Sequence, residues 1–271
     1  MKTIIVATDF SAEADNAMVY AAAAAQEKGY KLILYNLYNT SVHAQNARLS
    51  GNEIDKIFQW RHDKINEIAG IVGKVYDLEV EVYFTSGDFY EQLLKCIKLY
   101  KADLIVMGMS DKSIEQDLFG NMTTHVINKL KFPILSIPLN AEYEGIKHIL
   151  FACDMVRGVH KKVLERVKNF ASDFGANVEI FHVRNYMIQL QKQPQKQARL
   201  MDKMLHEVPH SYKNVESTEI LSAIREEIIS SNTDILIMVP YRYGFWHSLL
   251  HRSKTKIMAS GNSVPLLSIP L

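Results

Sequence analysis

The sequence predicts an α/β protein of two tandem doubly wound units, each a five-stranded parallel sheet flanked by helices, the two packed as a pseudo-two-fold pair. Three observations predict it. The segment FPILSIPL at 132–139 returns as VPLLSIPL at 264–271, with six of eight positions identical. The openings match as well, TIIVATD at 3–9 against HILFACD at 148–154, each an apolar run that stops at an aspartate. The apolar runs are continuous rather than alternating, which marks strands buried on both faces of a parallel sheet covered by helices.

The elements follow in order. After Asp9, Ser11 is placed to cap a helix and Glu13 and Asp15 suit its first turn. Ala14, Ala17, Met18, Ala21, Ala22 and Ala25 then recur at helical spacing until Gly29. KLILYNLY at 31–38 reads as the second strand, ADLIVMG at 102–108 as the fourth and FPILSIPL as the fifth. In the second half a helix is expected after Asp154, because Val159, Val163, Val167, Phe170, Ala171 and Phe174 keep the helical period up to Gly175. NVEIFHV at 177–183 and TDILIMV at 233–239 repeat the second and fourth strands. The least regular stretches are 40–50 and 185–200, and the piece NYMIQLQKQPQKQARLMDKML reads as a loop running into an exposed helix. The domains are placed at 1–140 and 146–271. The linker NAEYEG at 140–145 is short, so an internal pseudo-dimer is expected, and a homodimer of the whole chain stays open.

A chain of 271 residues, 48% hydrophobic and 23% charged, suits two globular domains with a core each. Its net charge of +1 divides into −3 over residues 1–140 and +4 over the rest, far from the dense basic stripe that a nucleic-acid surface needs. No apolar run approaches the roughly 20 residues of a membrane span. The opening MKTIIVATDF reaches Asp9 too soon for the apolar region of a signal peptide. Cys96 and Cys153 sit inside apolar elements of different halves and read as reduced thiols of a cytoplasmic protein.

In an open parallel sheet, ligands bind beyond the carboxyl ends of the strands where the strand order reverses. Ala7, Thr8 and Asp9 after the first strand, Leu37 near the end of the second, and Gly108 and Met109 after the fourth should converge there. The loop GMSDKSIEQDLFGNMTTHVI starts at Gly108, which permits close backbone approach. Gly120, Asn121, Met122 and Thr123 open a helix whose free N–H groups could hold an anion.

Taken together, VATDFS, DLIVMG, the glycine loop entering GNMTTHVI, and FPILSIP resemble the universal stress protein family, and the second half repeats the pattern. The resemblance implies a stress-linked binding or regulatory role without catalysis. In the nucleotide-binding branch it implies ATP held on a loop of form G-x2-G-x9-G-[ST]. Gly108 matches the first glycine, Asp111 stands at the second, Gly120 matches the third after a gap one residue shorter, and Asn121 replaces the Ser/Thr. An ionised Asp111 repels a triphosphate, and Lys112 offsets part of that. In the second unit Val239 stands where Gly108 does, and Pro240, Tyr241, Tyr243, Phe245 and Trp246 leave no bare backbone for a phosphate. Asp154 keeps the place of Asp9 and reads as a residue that fixes the turn. The expectation is therefore weak binding of an adenine nucleotide, ATP, in the first unit only. A nucleotide-free interaction scaffold and a slow ATP hydrolase remain the alternatives.

Catalytic and metal motifs do not add to this. HEVPH at 206–210 satisfies H-E-x-x-H, yet Pro209 breaks the helix that a zinc pair requires. His247 and His251 lie four apart without an evident third ligand. The chain has no G-x-x-x-x-G-K-[ST], G-x-S-x-G or C-x-x-C string, so neither an enzyme nor a metal site is expected.

Overall fold

The computed structural model describes residues 2–38, 51–109, 123, 126, 127, 129–155, 158–184, 194–240 and 264–271. They fall into two compact units, Met1–Met109 and Ser110–Leu271.

The first unit alternates strand and helix: β1 (Thr3–Ala7), α1 (Ala12–Lys28), β2 (Lys31–Tyr38), α2 (Gly51–Tyr76), β3 (Val80–Ser86), α3 (Phe89–Tyr100) and β4 (Leu104–Met109). The strands lie in the order β3-β2-β1-β4, every pairing parallel. Ile5, Leu32, Ile33, Leu34 and Ile105 are wholly or almost wholly buried, each contributing roughly 1.5–3 kcal/mol relative to an exposed side chain. Helix α1 has the caps its sequence promises. Ser11 accepts from the N–H of Ala14, and Gly29 ends the helix at φ 63°, its N–H donating to the Ala25 carbonyl. The alanine face matters for packing, because Ala14, Ala17, Ala21, Ala22 and Ala25 are buried and let α1 approach the sheet closely.

The second unit contains β5 (Ile134–Pro138), β6 (His148–Ala152), α4 (Lys161–Phe174), β7 (Asn177–Arg184), α5 (Pro194–Met204), β8 (His210–Glu216), α6 (Ile220–Ser230), β9 (Ile235–Met238) and β10 (Leu266–Ser268). Its strand order is β5-β10-β9-β6-β7-β8. Leu150, Phe181, Ile224, Ile228, Leu236 and Leu266 are part of one buried cluster. Helix α4 starts at Lys161 and not directly after Asp154. Gly158 sits at φ 81°, and His160 caps the helix by accepting from the N–H of Lys162.

β5, the strand that closes the first repeat in the sequence, lies in the second unit. It pairs with β10 in antiparallel fashion, and Leu135 stands opposite Leu267. The repeated LSIPL segments are thus each other's partners, as an apolar edge strand requires.

The acidic residue before each fourth strand also has a structural task. Asp103 Oδ2 accepts from the N–H of Thr3 at 3.0 Å, and Asp234 Oδ2 accepts from Lys147 and His148 at 2.7 and 2.8 Å. Each carboxylate ties the start of the neighbouring first strand to the fourth. No helix among the described residues is long and apolar enough to cross a membrane.

Candidate functional site

The carboxyl ends of β2, β1 and β4 meet at one edge of the first unit. Ala7 pairs with Tyr35 on one side and Met107 on the other. Thr8 and Asp9 therefore leave β1 beside Gly108 and Met109, while Leu37 lies two residues further along β2. The structure brings these six candidates to the same edge. Thr123 is buried in the second unit, and Asp111, Gly120, Asn121 and Met122 lie outside the described residues.

The turn after β1 is built by its own side chains. The Thr8 N–H donates to the Tyr35 carbonyl at 2.9 Å, and Thr8 Oγ1 accepts from the N–H of Phe10 at 3.1 Å. Asp9 Oδ1 accepts from both the N–H and the hydroxyl of Ser11, at 3.0 and 2.6 Å. The same hydroxyl accepts from Ala14 at 3.3 Å. Asp9 thus orients the cap of α1, a relay from strand end to helix start. Between them Phe10 is held at φ 68°, a conformation that costs a bulky residue about 1–2 kcal/mol.

Two buried polar residues, one in each unit, carry no motif. Asn36, fully buried, donates from Nδ2 to the Thr8 carbonyl at 2.7 Å, while its Oδ1 has no hydrogen-bond partner among the described residues. The second unit has His182 in the same place. Its Nδ1 lies 3.2 Å from the Cys153 carbonyl, and the Cys153 N–H donates to Phe181 as Thr8 does to Tyr35. The signal was a single polar residue near the end of an apolar strand, Asn36 in KLILYNLY and His182 in NVEIFHV.

Gly108 is bare for a reason of packing. A Cβ there would lie 2.5 Å from the carbonyl carbon and oxygen of Glu13 and 2.8 Å from the nitrogen of Ala14. The close approach that glycine permits is taken up by the first turn of α1. Nearby, burial holds the Asp15 carboxyl above its usual range; Lys64 opposes this and Asp9 adds to it.

The H-E-x-x-H string does not form a helical pair. Helix α5 ends at Met204 and His210 begins β8, so His206 and His210 belong to different surroundings. Nδ1 of His206 faces the Lys203 carbonyl at 3.1 Å, and Nδ1 of His210 faces the Val208 carbonyl at 2.8 Å. No metal-binding cluster of His, Cys, Asp and Glu occurs among the described residues. His247 and His251 lie outside them. Both cysteines are free, and burial pushes the Cys96 thiol up to about 12.

The parallel α/β build of the first unit, with a strand-end aspartate that turns into a capped helix, is the frame in which the likenesses to known proteins fall. The family model described as "Universal stress protein family" matches residues 1–138, and the chain belongs to that family. Among solved structures it is similar to a universal stress protein from Archaeoglobus fulgidus DSM 4304. The TM-score is 0.73 at 17% identity, over 99% of this chain and 96% of that one. A functionally unknown protein from Pseudomonas aeruginosa PAO1 matches with a TM-score of 0.62 at 12% identity, over 100% of this chain and 92% of that one. These full-length likenesses are likenesses of fold, and they span the tandem arrangement. No curated protein matches the chain at a significant level.

Proposed function

We propose that this universal stress protein is a non-catalytic, cytoplasmic binding protein whose first unit takes an adenine nucleotide at the carboxyl ends of β1, β2 and β4. The observation that carries this reading is the reach of the family match. It covers residues 1–138 and so includes Asp9, Gly108, Gly120 and Thr123, while leaving out the aromatic loop of the second half. The chemistry at the edge points to binding rather than turnover. Among the described residues there, the Asp9 carboxylate and the Ser11 hydroxyl are engaged with each other and with the first turn of α1, so the pair supports a helix cap rather than an activated nucleophile.

A nucleotide-free scaffold is the second reading, and one observation favours it. The open face of Gly108 is occupied by Glu13 and Ala14, so this glycine offers less bare backbone to a phosphate than its place in the loop suggests. Incubation of the purified protein with radiolabelled ATP separates the readings. Retention without phosphate release supports nucleotide binding. Neither retention nor release supports the scaffold, and steady release would mean a hydrolase.

A further inference from the structure

Phe58, Arg61 and Lys64 of α2 lie against rings at the carboxyl ends of β1, β2 and β3. Phe58 packs on Tyr38 and Phe84, with ring centroids 5.7 and 4.7 Å away. Arg61 Cζ lies 5.7 Å from the Phe10 ring and 5.8 Å from the Tyr38 ring. Lys64 Nζ lies 4.4 Å from the Phe10 ring and 5.1 Å from the Trp60 ring. Residues three apart on a helix share a face, and both cations lean on the one ring that the turn after β1 holds at positive φ.

Their charge is not neutralised as it is at other cations of this unit. Lys31 pairs with Glu79 and Glu81, Lys95 with Glu91 and Lys28 with Glu27. Arg61 and Lys64 have no carboxylate within ion-pair reach among the described residues. Asp15 feels Lys64 electrostatically without pairing with it, and Asp9 is turned to Ser11. Both cations are only partly exposed. Aromatic faces hold a cation in place and attract it weakly, which leaves it available to an anion. The position is where a doubly wound sheet takes its ligand, and the strain at Phe10 marks the same spot.

We propose that Arg61 and Lys64 form an anion site for the polyphosphate of a nucleotide, so that the helix after β2 contributes a phosphate contact in addition to the loop after β4. This rests on the nucleotide reading for its ligand, but the site can be probed without one. Inorganic tripolyphosphate, ATP and adenosine are titrated calorimetrically into the whole protein and into Arg61→Gln, Lys64→Gln and Lys64→Arg. Loss of one charge-assisted contact should weaken tripolyphosphate and ATP by about tenfold, with adenosine unchanged and Lys64→Arg close to the parent.

In a Trp246→Phe protein, tripolyphosphate should also change the emission of Trp60, a readout that does not depend on the folding of the glutamine variants. Binding of tripolyphosphate but not of ATP or adenosine would keep the anion site and remove the nucleotide reading. Binding of ATP with equal strength by parent and glutamine variants would keep the nucleotide and overturn this site. Absence of tripolyphosphate binding, or binding with Trp60 emission unmoved, also overturns it.

Discussion

Leu135 and Leu267 occupy the same position in the two copies of the repeat, and they stand opposite each other in the antiparallel pair of β5 and β10. Ser136 faces Leu266 and Ile134 faces Ser268, so a local two-fold axis passes between the two leucines. Near-identity of the segments follows, since a strand that pairs with its own copy across a dyad must satisfy one set of neighbours twice.

Removal of residues 264–271 should therefore do more than fray a terminus. β10 pairs with β9 as well as β5, and its loss uncovers two apolar edges. Light scattering should register intermolecular association and thermal melting a lower midpoint. A truncated protein that stayed monomeric, soluble and equally stable would refute the role given to the pair.

Gly108→Ala should destabilise the first unit by about 1–3 kcal/mol, because its Cβ would meet backbone atoms that cannot rotate away. The contact in question is the 2.5 Å approach to Glu13. Urea denaturation measures it, and a neutral result would show that α1 can move aside.

Asn36→Ala removes the Nδ2 donor that reaches the carbonyl of buried Thr8 from β2. A buried acceptor left unpaired costs about 1–3 kcal/mol, read as a lower urea midpoint. Stability within error of the parent would mean that this bond is not what holds the turn after β1.

The pH dependence of the second unit should reveal Glu179. Burial, then the neighbouring Glu227, raise its carboxyl above the usual range, and Lys213 partly opposes them. A raised folded value favours the protonated form, so this contribution to stability is complete below the unfolded value and is lost as pH rises through the folded one. Glu179→Gln should match the parent near about pH 4 and melt higher near about pH 8. A melting difference that does not grow with pH would contradict the assignment.

On the nucleotide reading, Asp111→Gly removes a negative charge from the loop that the resemblance places at phosphate. ATP affinity should tighten several-fold if the effect is about 1 kcal/mol. Gly120→Val should abolish binding while Gly244→Val barely changes it, and calorimetry giving the reverse ranking would place the ligand in the second unit.

The sequence by itself determined the α/β class, the duplication, two helices with their glycine stops and the Ser11 cap of the first, and the edge where β1 and β4 end. These are properties of local periodicity and of short segments compared with each other, and they survive without knowledge of distant contacts. Only the tertiary structure decided what the individual residues do. Gly108 reads as a place for a ligand until α1 is found pressed against it, and Asn36 and Asp103 read as ordinary polar residues until the Thr8 carbonyl and the Thr3 N–H come within reach. Arg61 and Lys64 carry no motif at all. Their meaning depends on Phe10, some fifty residues earlier in the chain, and such a juxtaposition arises only when the helix folds across the strand ends.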